Sequence, residues 1–233
     1  MSKPRIAGVD SLRGLMLLLM VVTHLAYDLT LFGWFPAEIY FSSFIQALIA
    51  LGAGIFILIS GAMARFSRSN IRRGVRYLLA GLAVTAVTLI FPQNGVVWFG
   101  ILHLLGISAL LYAVSERFLL RIPPQTRMAF CLLALFGSAA LTALPVTFPG
   151  AWLLGFTHGA PAMADFFPVL PWLFVYLLGT IAGERLQAGL YPDWFGRWDT
   201  PGLRFVSQYA LPIYLLHQPV MLGLLLLIRV MII

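Results

Sequence analysis

A chain of 233 residues that is 61% hydrophobic and 10% charged, with a mean hydropathy of +0.95, lies outside the range of soluble domains and reads as an integral membrane protein. Once its apolar runs are counted, no length is left for a separate soluble domain. The formal charge of +7 sits in short loops between apolar runs, where membrane orientation signals belong, so a nucleic-acid partner is excluded.

In chain order, stretches near the ~20 residues needed to cross a bilayer fall at residues 12–32, 41–63, 73–91, 97–114, 128–144, 167–182 and 205–228. The expected fold is therefore all-α: a bundle of seven transmembrane helices, one multi-pass domain over residues 1–233 in the inner (plasma) membrane. The apolar run in residues 1–32 carries His24 and Asp28 and no small-residue cleavage site follows it, so it is read as the first span and not a signal peptide. The third stretch begins with Arg73 and Arg76, which must snorkel outward. Gly52, Gly54, Gly61 and Ala62 in the second permit close helix contact. Cys131, the single cysteine, excludes an internal disulfide and a cysteine-based metal site. Trp34, Trp98, Trp152, Trp194 and Trp198 fall at span ends or in loops, as interfacial anchors do.

With seven spans, Lys3, Arg5 and Arg13, the arginines from Arg65 to Arg76, Arg117, Arg121 and Arg127, and Arg185, Arg197 and Arg204 all fall on one side. The opposite loops carry only Glu38, His158 and Asp165 as ionisable groups, and Arg229 is the one exception. This pattern places the N-terminus in the cytoplasm and the C-terminus outside.

The first span contains Asp10, Arg13, His24 and Asp28. Charged groups cost roughly 2.5–3.5 kcal/mol each at mid-membrane, and they usually persist where they face an interior cavity. At ~100° per residue, Arg13 and His24 return to nearly one face with a rise of ~16 Å, and Asp28 lies one turn further. Asp10 stands where it can pair with Arg13. A carboxylate four residues along can accept from one ring nitrogen of His24 and leave the other as a base; the alternative is a polar contact that only holds helices together. Tyr27 neighbours the pair. His103 and His217 lie at depths from which both can reach a cavity shared with His24, although interhelical hydrogen bonds explain them equally well. Gln218 or His217 can satisfy the backbone carbonyl left open by Pro219. Asp165 reads either as an N-cap of the sixth span or as part of a loop roofing the cavity. Arg72, Arg73 and Arg76 are orientation signals that can also meet a phosphate-bearing ligand.

Val9-Asp10-Ser11-Leu12-Arg13-Gly14 through Thr23-His24 resembles the opening of the acyltransferase-3 family of envelope O-acetylases. Gly100-Ile101-Leu102-His103-Leu104-Leu105-Gly106, Asp165-Phe166-Phe167-Pro168 with Pro171-Trp172, and Tyr214-Leu215-Leu216-His217-Gln218-Pro219 resemble more narrowly the bacterial branch of the heparan-alpha-glucosaminide N-acetyltransferase family. The resemblance implies transfer of an acetyl group from cytoplasmic acetyl-CoA, with no metal, to an amine or hydroxyl of a sugar or glycan beyond the membrane. It implies that Arg13, with Arg72, Arg73 and Arg76, holds the CoA phosphates. His24, Asp28 and His103 are then the catalytic set, and Tyr27, Asp165, His217 and Gln218 line the cavity. Expected partners are acetyl-CoA, the glycan acceptor and the lipid bilayer, with a homodimer left open. The chain departs from the lysosomal members, which have more spans and an asparagine at the position of His24. The competing classes are a small proton-coupled transporter with an intramembrane His/Asp relay, and a non-catalytic subunit. The single lysine, Lys3, lies outside the spans and excludes a retinal protein.

Overall fold

A computed structural model describes residues 6–92, 95–158, 160–161, 163 and 165–232. Lys3 and Arg5, which contribute to the orientation argument, lie outside the described residues. The elements are α1 (Ala7–Leu31), α2 (Ala37–Tyr40), α3 (Ser43–Ala64), α4 (Asn70–Ile90), α5 (Ile101–Leu119), α6 (Pro124–Thr142), α7 (Ala151–Leu154), α8 (Val169–Gln187), α9 (Asp193–Arg197), α10 (Pro201–Gln208) and α11 (Ala210–Ile232). Seven of them, α1, α3, α4, α5, α6, α8 and α11, are long and apolar enough to span a bilayer, as the sequence predicts. By packing, the chain forms two compact units, one of Met1–Phe56 with Tyr191–Ile233 and one of Ile57–Leu190.

In the first unit α1 is the organising element. Gly8, Ser11 and Gly14 are buried along one side of its first turns, where α9 and α10 lie against it. A Cβ on Gly8 would strike the carbonyl of Phe195, and one on Gly14 the carbonyl of Leu203, so the backbones touch directly. Ser11 Oγ completes the seam: it donates to the Trp198 carbonyl at 3.1 Å and accepts from the Thr200 N–H at 3.1 Å. Beyond the helix end at Leu31, Gly33 has a φ of +74°, which suits the left-handed turn that lets the Trp34 N–H reach back to the Leu29 carbonyl at 2.8 Å. The last span starts later than the expected residue 205, because the chain breaks at Tyr209 and residues 201–208 form the separate helix α10. Arg229, the exception in the charge pattern, sets its guanidinium 5.7 Å from the centre of the Phe32 ring.

The second unit pairs α4 with α5 and α6 with α8. Small residues set the close approaches. A Cβ on Gly106 would meet Leu78, one on Gly61 the Tyr176 carbonyl, and one on Gly179 the Leu58 carbonyl. Gly61 therefore serves the contact role read from sequence, whereas Gly52 faces open space. One end of this unit is tied by ions. Arg127 grips Glu184 through two hydrogen bonds of 2.7 and 2.6 Å, and Arg65 donates to Glu116 at 2.6 Å and to the Tyr112 hydroxyl at 3.1 Å. The fourth span starts at Ile101, four residues later than expected, because the preceding residues are extended and Phe99 bridges to Phe166.

Candidate functional site

Helix α1 runs without a break from Ala7 to Leu31, so the spacing from Arg13 to His24 keeps its meaning. The two side chains lie within about 20° of each other around the axis and ~16 Å apart along it. Leu17, on the same stripe between them, is 0% exposed, whereas Leu18, Leu19 and Val22 on other faces are exposed. The stripe faces protein. Arg13 is half-buried, and among the described residues it makes no hydrogen bond or ion pair, so the expected pairing with Asp10 is not formed. A guanidinium in that state is open to an anion.

One turn of α1 and one turn of α11 build the other end of the stripe. His24 Nδ1 lies 2.9 Å from the Met20 carbonyl oxygen. A carbonyl only accepts, so Nδ1 carries the proton of the neutral ring and Nε2 keeps its lone pair. The backbone one turn back sets the tautomer, and the expected hydrogen bond from the ring to Asp28 is not formed. Asp28 is fully buried and accepts instead from Gln218 Nε2, at 2.8 Å to one oxygen and 3.0 Å to the other. The carboxylate forces the amide to face it with its NH2 group, which turns Gln218 Oε1 away as a buried acceptor without a partner among the described residues. His217 repeats the pattern of His24. Its Nδ1 donates to the Tyr214 carbonyl at 2.6 Å, and its buried Nε2 has no partner among the described residues. The two imidazole rings meet edge to face with centroids 4.9 Å apart. Neither His217 nor Gln218 is spent on the carbonyl opened by Pro219. Tyr27 stacks obliquely on Tyr40, with ring centroids 5.7 Å apart. Tyr40 lies in α2, outside the spans; burial first, and then the neighbouring Tyr27 and Asp28, raise its phenol above the ordinary value, so it remains an O–H donor. No sequence signal singles out this tyrosine in a four-residue helix.

The second unit holds the other predicted residues. His103 Nδ1 accepts from the Gly100 N–H at 3.3 Å, so the ring proton sits on Nε2, 3.4 Å from the Thr85 hydroxyl oxygen. Both nitrogens are engaged at the start of α5, and Phe99 stacks on the ring at 5.5 Å. Asp165 caps a helix, but not the one that follows it: its Oδ2 accepts from the Ile101 N–H at 3.1 Å, at the N-terminus of α5. With Phe167 N–H donating to the Phe99 carbonyl at 3.1 Å, the two motifs of this unit form one capping knot. Arg73 does not snorkel outward. Its Nη2 donates to the Ser60 carbonyl at 2.7 Å and to the Ser60 hydroxyl at 2.8 Å, while Arg72 and Arg76 are exposed. Among the described residues no cluster of three or more His, Cys, Asp or Glu side chains could hold a metal ion.

The family model described as heparan-alpha-glucosaminide N-acetyltransferase, catalytic, matches residues 5–219. The chain belongs to that family and is a transmembrane acetyltransferase. No curated protein and no solved structure matches it.

Proposed function

We propose that this member of the family moves an acetyl group from cytoplasmic acetyl-CoA to an amine or hydroxyl of a sugar or glycan on the far side of the cell's inner membrane. The observation that carries the reading is the α1 stripe, which joins a half-buried guanidinium with no acidic partner among the described residues to an imidazole whose Nε2 lone pair is available. Arg13 would hold phosphate oxygens of CoA, for which the guanidinium fork is suited. The extended pantetheine arm would follow the stripe and bring the thioester to His24.

His24 Nε2 then takes the proton of the acceptor group as its nitrogen or oxygen attacks the thioester carbonyl carbon. The new C–N or C–O bond forms, the C–S bond breaks, and the same proton passes from Nε2 to the leaving thiolate as free CoA. Asp28, one turn away and clamped by Gln218, supplies a negative charge that favours the transient imidazolium. Tyr40 keeps an O–H donor near Asp28.

The acceptor chemistry follows from what the cluster lacks. His24 Nε2, His217 Nε2, Gln218 Oε1 and the Asp28 carboxylate all accept hydrogen bonds. A ligand that satisfies them must bring donors, as an amino sugar or a polyol does. In the second unit, the exposed Arg72 and Arg76 remain candidates for phosphate contact. Arg73, through Nη2 on Ser60, and His103 and Asp165, through the α5 cap, are read as residues that hold the second unit together.

The test uses purified protein in liposomes with acetyl-labelled acetyl-CoA and amino-sugar acceptors. Product should form with the native chain, and His24→Ala should lower kcat by ~10²–10⁴, the range of a general base. Arg13→Gln should raise KM for acetyl-CoA more than it lowers kcat. Proton flux without acetyl-CoA consumption would overturn the proposal in favour of a transporter.

A further inference from the structure

The second unit contains a feature that plays no part in this chemistry. At the arginine-bearing end of α5, α6 and α8 an open cleft of about 520 Å³ is lined by Arg65, Arg121, Arg127, Glu184 and Gln187 beside the Pro123-Pro124 turn. We propose that this cleft binds the headgroup of an anionic phospholipid.

Its charge is arranged for that ligand. Arg65 and Arg127 are held by Glu116 and Glu184, and Gln187 Nε2 anchors the Arg65 carbonyl at 2.6 Å, so two guanidinium forks stand in fixed positions at no net charge. Arg121 adds a third guanidinium. It is exposed, and among the described residues its side chain makes no hydrogen bond or ion pair, which leaves the lining net positive. The start of α6 adds to the positive field. Its N-cap is Pro123, which has no side-chain acceptor to cover the first N–H groups of the helix.

The choice of a lipid over a soluble phosphate rests on what adjoins the cleft. On α5, Phe118, Val114 and Leu111 stand three, seven and ten residues before Arg121, on its side of the helix, and are exposed at 65%, 85% and 47%. These residues form an apolar track along which acyl chains can lie while the phosphate stays at the arginines. Basic pockets at the ends of transmembrane helices are suited to such headgroups.

The experiment places the full chain in nanodiscs of phosphatidylcholine with or without phosphatidylglycerol and counts retained lipid by native mass spectrometry. Coenzyme A and inorganic phosphate are added separately as soluble competitors. Phosphatidylglycerol should be retained selectively. Arg121→Gln should cut that preference about fivefold, the value of one arginine near a membrane surface, whereas Arg185→Gln, exposed on α8 but outside the lining, should leave it unchanged. Equal loss in both variants would assign the preference to diffuse surface charge and overturn the site. Displacement of the lipid by coenzyme A or phosphate would make the cleft a soluble-phosphate site and overturn the lipid assignment, and absence of any lipid preference would overturn it outright. Because retained lipid is measured without turnover, failure here leaves the acetyl-transfer proposal standing, and the reverse also holds.

Discussion

Gln218 holds both oxygens of a carboxylate that has no exposure to solvent. Replacing it by leucine would leave Asp28 buried without the amide that donates to both its oxygens, a state relieved by taking up a proton. Gln218→Leu should therefore abolish the charge beside His24 and lower kcat at least ~10-fold, with KM for acetyl-CoA unchanged, since Arg13 lies about three turns away. Asp28→Asn separates charge from fold. It keeps a side-chain oxygen for Gln218, so thermal stability in detergent should fall little while kcat drops about 100-fold; unchanged kcat would remove Asp28 from the mechanism. The position of both groups on one helix face is legible from spacing alone. Their partners are not, for two physical reasons. Helical side chains lean toward the N-terminus, so the His24 ring reaches the Met20 carbonyl behind it and not the carboxylate ahead. The partner of Asp28 lies 190 residues further on, a tertiary contact that no local rule contains.

Helices meet here where side chains are missing. Gly14 is buried with Leu203's backbone where its side chain would be, and Gly52 has nothing within reach. Gly14→Val should cost about 1–3 kcal/mol by prising α10 from α1, and Gly52→Val should be neutral; thermal unfolding of the two variants in one detergent makes the comparison. Both glycines sit in apolar helical runs, and only the neighbouring backbone tells them apart. The Arg127–Glu184 pair gives a second contrast. Arg127 is 6% exposed, so Arg127→Met takes both close donors from Glu184, leaves it only Arg65 at 4.0 Å, and should destabilise by about 1–3 kcal/mol, while the double variant with Glu184→Leu should recover most of the loss. The sequence counts Arg127 only among the orientation charges, because its pairing depends on how α6 and α8 are rotated. Helix ends escape the sequence for a related reason. Hydropathy continues through Val97–Gly100 and through Tyr209, but a backbone bridge to Phe166 and a local turn interrupt the helix there.

Across the whole molecule, the number of spans is legible because crossing a bilayer demands long apolar helices whatever their contacts. Their direction rests on charge. The turn between α1 and α3 carries Glu38 and no basic residue, whereas the α5–α6 turn carries Arg121 with Arg117 and Arg127 on its flanks. The orientation rule therefore puts Glu38 outside and Gln125 in the cytoplasm, both at exposed positions. The single native cysteine, Cys131, is 4% exposed and gives a low background for thiol labelling in intact cells. A membrane-impermeant maleimide should label Glu38→Cys at once and Gln125→Cys only after the membrane is opened. The acetyl-transfer scheme needs this orientation, because Arg13 lies toward the α1 N-terminus and His24 lies ~16 Å further along the helix. With the reverse labelling, the guanidinium would face the compartment without acetyl-CoA. The donor would then have to enter from the imidazole end, and the stripe would lose its function as a track.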